Sequence, residues 1–145
     1  MKNDFENLLH ENKLKITAPR LAVLEILSSR GTAISQPILE KLMSSEVDRV
    51  TLYRILKILE IKGILHKVID LNGTANYALC VGKCNELAHH DEHFHFNCTN
   101  CNQLYCMNDF HFPPFQMPVG FKTKSINLLI SGICADCGNN GIIQF

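Results

Sequence analysis

The chain has 145 residues, 46% of them apolar, and a mean hydropathy near zero, enough for one ordinary domain or two small ones with real cores, which excludes disordered and fibrous classes. Its 14 basic and 14 acidic residues cancel, so no chain-wide positive field points to nucleic acid. The longest apolar runs, such as Leu128-Leu129-Ile130, fall far short of the roughly 18 residues of a membrane span, and Met1 to Glu6 lacks the apolar stretch of a signal peptide; a soluble cytoplasmic chain is expected.

In chain order, Thr17 to Ser29 predicts an amphipathic helix, with Thr17 as cap, Pro19 in the first turn, and Leu21, Leu24, Ile26 and Leu27 as its apolar residues. Arg30 to Ala33 reads as a turn. Ser35-Gln36-Pro37 then opens a second helix with Ile38, Leu39 and Leu42 on one face. After a short turn, Asp48 caps a third helix over Arg49–Lys62, whose Leu52, Ile55, Leu56 and Leu59 face a core and whose stop is Gly63. Ile64–Ile69 and Ala75–Cys80 predict two strands joined through Asn72-Gly73, a strong hairpin signal.

A short helix, a tight turn and a longer helix form the helix-turn-helix pattern, and a hairpin behind it makes a winged helix. The third helix carries Arg49, Thr51, Tyr53, Arg54 and Lys57 opposite its leucines: cations for phosphates and guanine edges, hydroxyls for either. The plain alternative is a solvated face on a core helix. Charge divides modestly along the chain, with 11 basic and 9 acidic residues up to position 80 and 3 and 5 beyond it, which permits a basic face on the first half.

Metal chemistry concentrates in the second half. All seven cysteines and five of the seven histidines lie at or beyond Cys80, and an odd cysteine count without a secretory signal argues for metal rather than disulfides. Cys98-x-x-Cys101 and Cys134-x-x-Cys137 each offer two thiolates to one ion, and together they complete a tetrahedral four-cysteine site of the structural zinc type. The stretch between them must hold a small subdomain. A redox dithiol is the alternative, but that motif normally stands alone. In His89-His90-Asp91-Glu92-His93-Phe94-His95-Phe96, strand alternation would bury Phe94 and Phe96 on one face and pair His93 with His95 on the other as metal ligands. Upstream, His66 and Cys80 lie in the two wing strands, where each taken alone reads as packing. Cys84, Cys106, Asp109 and His111 are further donors.

Taken together, Leu14 to Arg20, then Val50-Thr51-Leu52-Tyr53-Arg54, then His93-x-His95-x-x-Cys98-x-x-Cys101, and finally Cys134-x-x-Cys137 resemble, in order and spacing, the ferric uptake regulator family over nearly the whole chain. The resemblance implies an α+β chain with a winged-helix DNA-binding domain over 1–80, a hinge over 81–92 and a metal-binding α/β dimerisation domain over 93–145. It implies a homodimeric, metal-responsive repressor, not an enzyme, acting on double-stranded DNA at a palindromic operator. Lys15 then corresponds to a minor-groove contact, with Arg20, Thr51, Tyr53 and Arg54 completing the DNA face. Cys98, Cys101, Cys134 and Cys137 match a structural zinc site.

The iron-sensing branch places a histidine before the second helix and a glutamate in the second wing strand, where this chain has Ala33 and Ala78; a further histidine of that branch matches Ile126. The zinc-sensing branch is closer, because Tyr77-Ala78-Leu79-Cys80 resembles its Tyr-x-x-Cys ligand. The implied regulatory set is His66, Cys80, His93 and His95, and one thiolate with three imidazoles suits Zn2+ over Fe2+. The expectation is a zinc-responsive repressor of metal-uptake genes in which the ion ties the wing to the dimerisation domain. The alternatives are an iron or peroxide sensor of the same family, a zinc hydrolase or deaminase, and a zinc-stabilised interaction module. A deaminase would need a His-x-Glu together with a downstream Pro-Cys-x-x-Cys, and that combination does not appear.

Overall fold

A computed structural model describes residues 2–79, 93–111, 113–123 and 126–140. Among them the elements run α1 (Lys2–Glu11), α2 (Ala18–Arg30), β1 (Ile34–Ser35), α3 (Gln36–Leu42), α4 (Arg49–Ile61), β2 (Leu65–Ile69), β3 (Ala75–Leu79), β4 (His93–Cys98), β5 (Leu104–His111), β6 (Leu129–Gly132) and α5 (Ala135–Asn139). The expected hinge over 81–92 and Cys80 lie outside the described residues. No helix among those described is long and apolar enough to cross a membrane.

The amino-terminal unit is built as the apolar spacing dictates. Leu21, Leu24 and Leu27 of α2 and Leu52, Ile55, Leu56 and Leu59 of α4 are buried in one cluster with Leu39, Met43, Ile64, Leu65 and Tyr77. Asp48 caps α4 by accepting the Thr51 N–H at 2.7 Å. Gly31 ends α2 in the left-handed region at φ 63°, a conformation glycine adopts at no steric cost. In the hairpin, Asp70 Oδ1 accepts the N–H groups of Asn72 and Thr74, and Gly73 takes φ 78°.

Three expectations change. Helix α1 had no counterpart in the sequence reading: Phe5, Leu8 and Leu9 give it one narrow apolar stripe, of which Leu9 is fully buried against the core. A short strand, β1, joins the hairpin, giving the order β1-β3-β2. On α3 only Leu39 is buried, while Ile38 and Leu42 stand 46% and 42% exposed, because seven residues make two turns and present a single ridge to the core.

The second sheet has the order β5-β4-β6, with β4 antiparallel to β5 and parallel to β6. One face carries His95, Asn97, Leu104 and Cys106; the other carries Phe94, Phe96, Tyr105, Met107 and Ile130. The first face packs on the amino-terminal unit, where Leu104 joins Ala33, Val68 and Ala78 in a small apolar cluster. A backbone bridge crosses the same seam, Ala33 N–H donating to Leu104 O at 2.9 Å, and the Thr32 hydroxyl donates to Gln103 Oε1 at 3.0 Å. Burial therefore runs opposite to the sequence expectation: His95 is buried, whereas Phe94 and Phe96 are only half-buried, because the amino-terminal unit covers the histidine face.

Candidate metal centres and nucleic-acid interface

Two donor clusters form among the described residues. The first is made by the ends of the two parallel strands. Cys98 closes β4, a turn with Asn102 at φ 59° brings Cys101 back, and Cys134 and Cys137 sit at the cap and within α5, just after β6. All four sulfurs lie within 4.8 Å of one another, and Cys101 Sγ and Cys134 Sγ are 3.9 Å apart. That is far from a disulfide bond length and close to the edge of about 3.8 Å of a tetrahedron with zinc–sulfur bonds of about 2.3 Å.

The electrostatics of the cluster also fit a cation. Backbone N–H groups of Cys101 and Cys134 hold the Cys98 thiol down to about 6. The Cys137 N–H and the Tyr105 hydroxyl lower Cys134, and the same hydrogen bond raises Tyr105. Loss of solvation pushes Cys101 up to about 12. Asn100 Nδ2, 3.2 Å from Cys137 Sγ, pulls that thiol down, but Cys134 and desolvation raise it on balance. Cys98 and Cys134 are thus shifted toward the thiolate and Cys101 and Cys137 toward the thiol, and a divalent ion among the four sulfurs would favour the thiolate form of all of them. The N–H of Cys134 on Cys98 Sγ, the Asn100 amide and the Tyr105 hydroxyl are the outer hydrogen bonds that orient metal thiolates.

The second cluster joins the two units. His95 and Cys106 are direct cross-strand partners on β4 and β5, which puts both side chains on the seam-facing side of the sheet. Across the seam β2 supplies His66, whose Nε2 is 3.3 Å from Cys106 Sγ and whose ring centroid is 5.3 Å from that of His95. The three donor atoms lie within 4.8 Å of one another, His66 and His95 buried and Cys106 half-buried. Two imidazoles and a thiolate make a borderline-soft set suited to zinc, and 3.3 Å is near the nitrogen–sulfur edge of about 3.5 Å in a zinc tetrahedron.

Of the regulatory set expected from the sequence, the structure brings His66 and His95 together and adds Cys106. Cys80 lies outside the described residues. His93 opens β4 in register with His111, and a register shift separates that pair from the His95–Cys106 pair. Cys106 was one donor among several in the sequence. Only its register opposite His95 singles it out.

On the outer side of the helix-turn-helix, Thr51, Tyr53, Arg54 and Lys57 are exposed on α4. Lys57 Nζ lies 5.8 Å from the centre of the Tyr53 ring, a cation–π distance that holds both side chains on one ridge. Arg49 turns back to Glu40 of α3 at 3.2 Å. Lys15 is exposed before α2, and Arg20 Nη1 donates to its carbonyl oxygen at 2.6 Å, which fixes the path of that segment.

Comparison with known proteins agrees with this architecture. The Ferric uptake regulator family profile matches residues 11–130. The ferric uptake regulation protein of Bordetella parapertussis is 31% identical over 132 residues, covering 86% of this chain and 89% of that protein. Its namesake from Neisseria meningitidis is 27% identical over 152 aligned positions, 94% of this chain and 96% of that one. Among solved structures, a zinc uptake regulator complexed with zinc and DNA shares the fold at TM-score 0.71 and 20% identity, over 98% of this chain and 95% of that one. The Vibrio cholerae ferric uptake regulator gives TM-score 0.59 at 24% identity, over 88% and 98%. The chain belongs to the ferric uptake regulator family and is, with it, a metal-responsive transcriptional regulator rather than an enzyme.

Proposed function

We propose that the chain is a zinc-responsive repressor of metal-homeostasis genes, acting in the cytoplasm as a homodimer on a palindromic operator. The observation that carries this reading is the His66, His95 and Cys106 cluster, whose donors come from both sides of the seam. An ion held there ties the wing to the second sheet and fixes the DNA-reading helix relative to the rest of the chain. Free of the ion, the two units retain more relative freedom, and ordering them on DNA costs entropy. Cys80 and His93 are the proposed sources of a fourth ligand. The structural metal is zinc on Cys98, Cys101, Cys134 and Cys137.

Donor chemistry favours zinc over iron. Ala33 and Ala78, which stand where the resemblance puts two iron-branch ligands, are buried in the apolar cluster with Val68 and Leu104 and offer no side-chain donor. A homodimer is supported by the apolar side chains that the second half exposes, among them Phe110, Phe115, Phe121 and Ile130. A neighbouring zinc uptake regulator was solved with zinc and DNA, and the exposed Tyr53–Lys57 ridge of α4 supports the same partner here.

The test is mobility shift on an AT-rich palindromic duplex against buffered free zinc and, anaerobically, iron(II). Affinity should rise with zinc at free concentrations where iron(II) has no effect. A response to iron(II) alone would reassign the metal. Arg54→Ala should weaken zinc-dependent binding by about 1–3 kcal/mol while metal content and oligomeric state stay unchanged. Wild-type affinity in both Arg54→Ala and Tyr53→Ala would remove α4 from the interface.

A further inference from the structure

We infer that Val50 is a specificity-determining residue that reads a thymine methyl group in the major groove, an inference that rests on the DNA reading of α4. Val50 is 58% exposed in the first turn of that helix. Singly exposed apolar residues are common and need no explanation by themselves. What distinguishes Val50 is its place. The buried residues Leu52, Ile55, Leu56 and Leu59 define the inner face, and helical spacing puts Val50, Arg54, Lys57 and Ile61 in line on the opposite, outermost ridge.

Its first-turn neighbours are otherwise engaged. The Arg49 side chain pairs with Glu40 at 3.2 Å, and Asp48 accepts from the Thr51 side chain as well as from its N–H at 2.7 Å. The N-terminal residues of a recognition helix are the ones that meet base edges, so the foremost side chain of this ridge is a β-branched hydrocarbon. It can neither donate nor accept a hydrogen bond. Phosphates and guanine, adenine and cytosine edges offer it nothing, whereas the C5-methyl of thymine is the one apolar group displayed in the major groove. Arg54, one turn on, is then left to supply polar readout or a phosphate contact beside it.

The test starts by selecting zinc-loaded wild-type protein against a randomised duplex pool, then replaces each thymine of the enriched site in turn by deoxyuridine, which lacks only the methyl. One thymine per half-site should show about fourfold weaker wild-type binding on replacement, the effect of one methyl no longer removed from water. Val50→Ser should lose both that sensitivity and the thymine preference at the same position, while Val50→Thr, which keeps one γ-methyl, should retain both. Wild-type indifference to deoxyuridine throughout overturns the inference without recourse to any variant. So does a Val50→Ser protein with an unchanged thymine preference. If wild type enriches no sequence at all, the DNA reading of α4 fails and takes Val50 with it, a result recognisably different from enrichment without methyl dependence.

Discussion

Cys98→Ser is expected to yield a protein with one fewer zinc per chain and an unfolded second half. The reason is where the cluster sits. Cys98 closes the C-terminal end of β4, Cys134 follows β6 by two residues, and β6 is a four-residue strand whose partner is β4. A structural zinc site contributes apparent binding energy of about 10–16 kcal/mol, which is folding energy where no preformed site exists in the unfolded chain. Whole domains are stable by only about 5–15 kcal/mol, so a broken site exceeds the reserve of so small a sheet. The amino-terminal unit has its own core from Leu9 to Tyr77 and should persist, giving a residual helical signal with its own melting transition. Metal analysis, gel filtration and circular dichroism on wild type, Cys98→Ser and Cys134→Ser check this. A folded, dimeric Cys98→Ser protein that still carries wild-type zinc would refute the assignment.

Cys106→Ser is expected to separate sensing from folding. The thiol is half-buried on β5, and serine is nearly isosteric but a poor zinc ligand, so the sheet and the four-cysteine cluster should stand. What should disappear is the gain in DNA affinity on adding zinc, a coupling typically worth about 5–150-fold. Cys80→Ser should act in the same direction if Cys80 supplies the fourth ligand, and the double variant should then be little worse than either alone, because a site that has lost one ligand is already impaired. Titration of operator binding against buffered zinc decides it. An unaltered zinc response in Cys106→Ser would exclude Cys106 from the sensor.

The comparison of sequence with structure shows which physical signals travel along the chain and which do not. Helices α2 and α4 were legible because their apolar period and caps are local, and Asp48 occupies the position its side-chain chemistry suits. The convergence of the Cys pairs was legible because Cys-x-x-Cys brings its own turn. Cys106 was not, since its meeting with His95 depends on hairpin register, and the turn from Thr99 to Gln103 sets that register through the left-handed Asn102. His95 was expected opposite a buried Phe94 and Phe96. Which face of a sheet is covered is decided by the unit packed against it, and strand alternation is silent on that. Helix α1 escaped notice for a similar reason: one narrow stripe in ten residues is too weak a period without its tertiary partner, α2.

The bridge between Ala33 and Leu104 gives the molecule an internal clock for the joint between its units. The Ala33 amide proton is bonded across the seam to Leu104 O, and its residue is neither a metal donor nor part of α4. It exchanges with solvent deuterium only when the seam opens, so its protection factor measures the free energy of that opening directly. Amides in the centre of α4 report instead on unfolding of the amino-terminal unit. The ratio of the two rates distinguishes a hinge that swings as a rigid body from a chain that melts, and it does so without a duplex or a mutation.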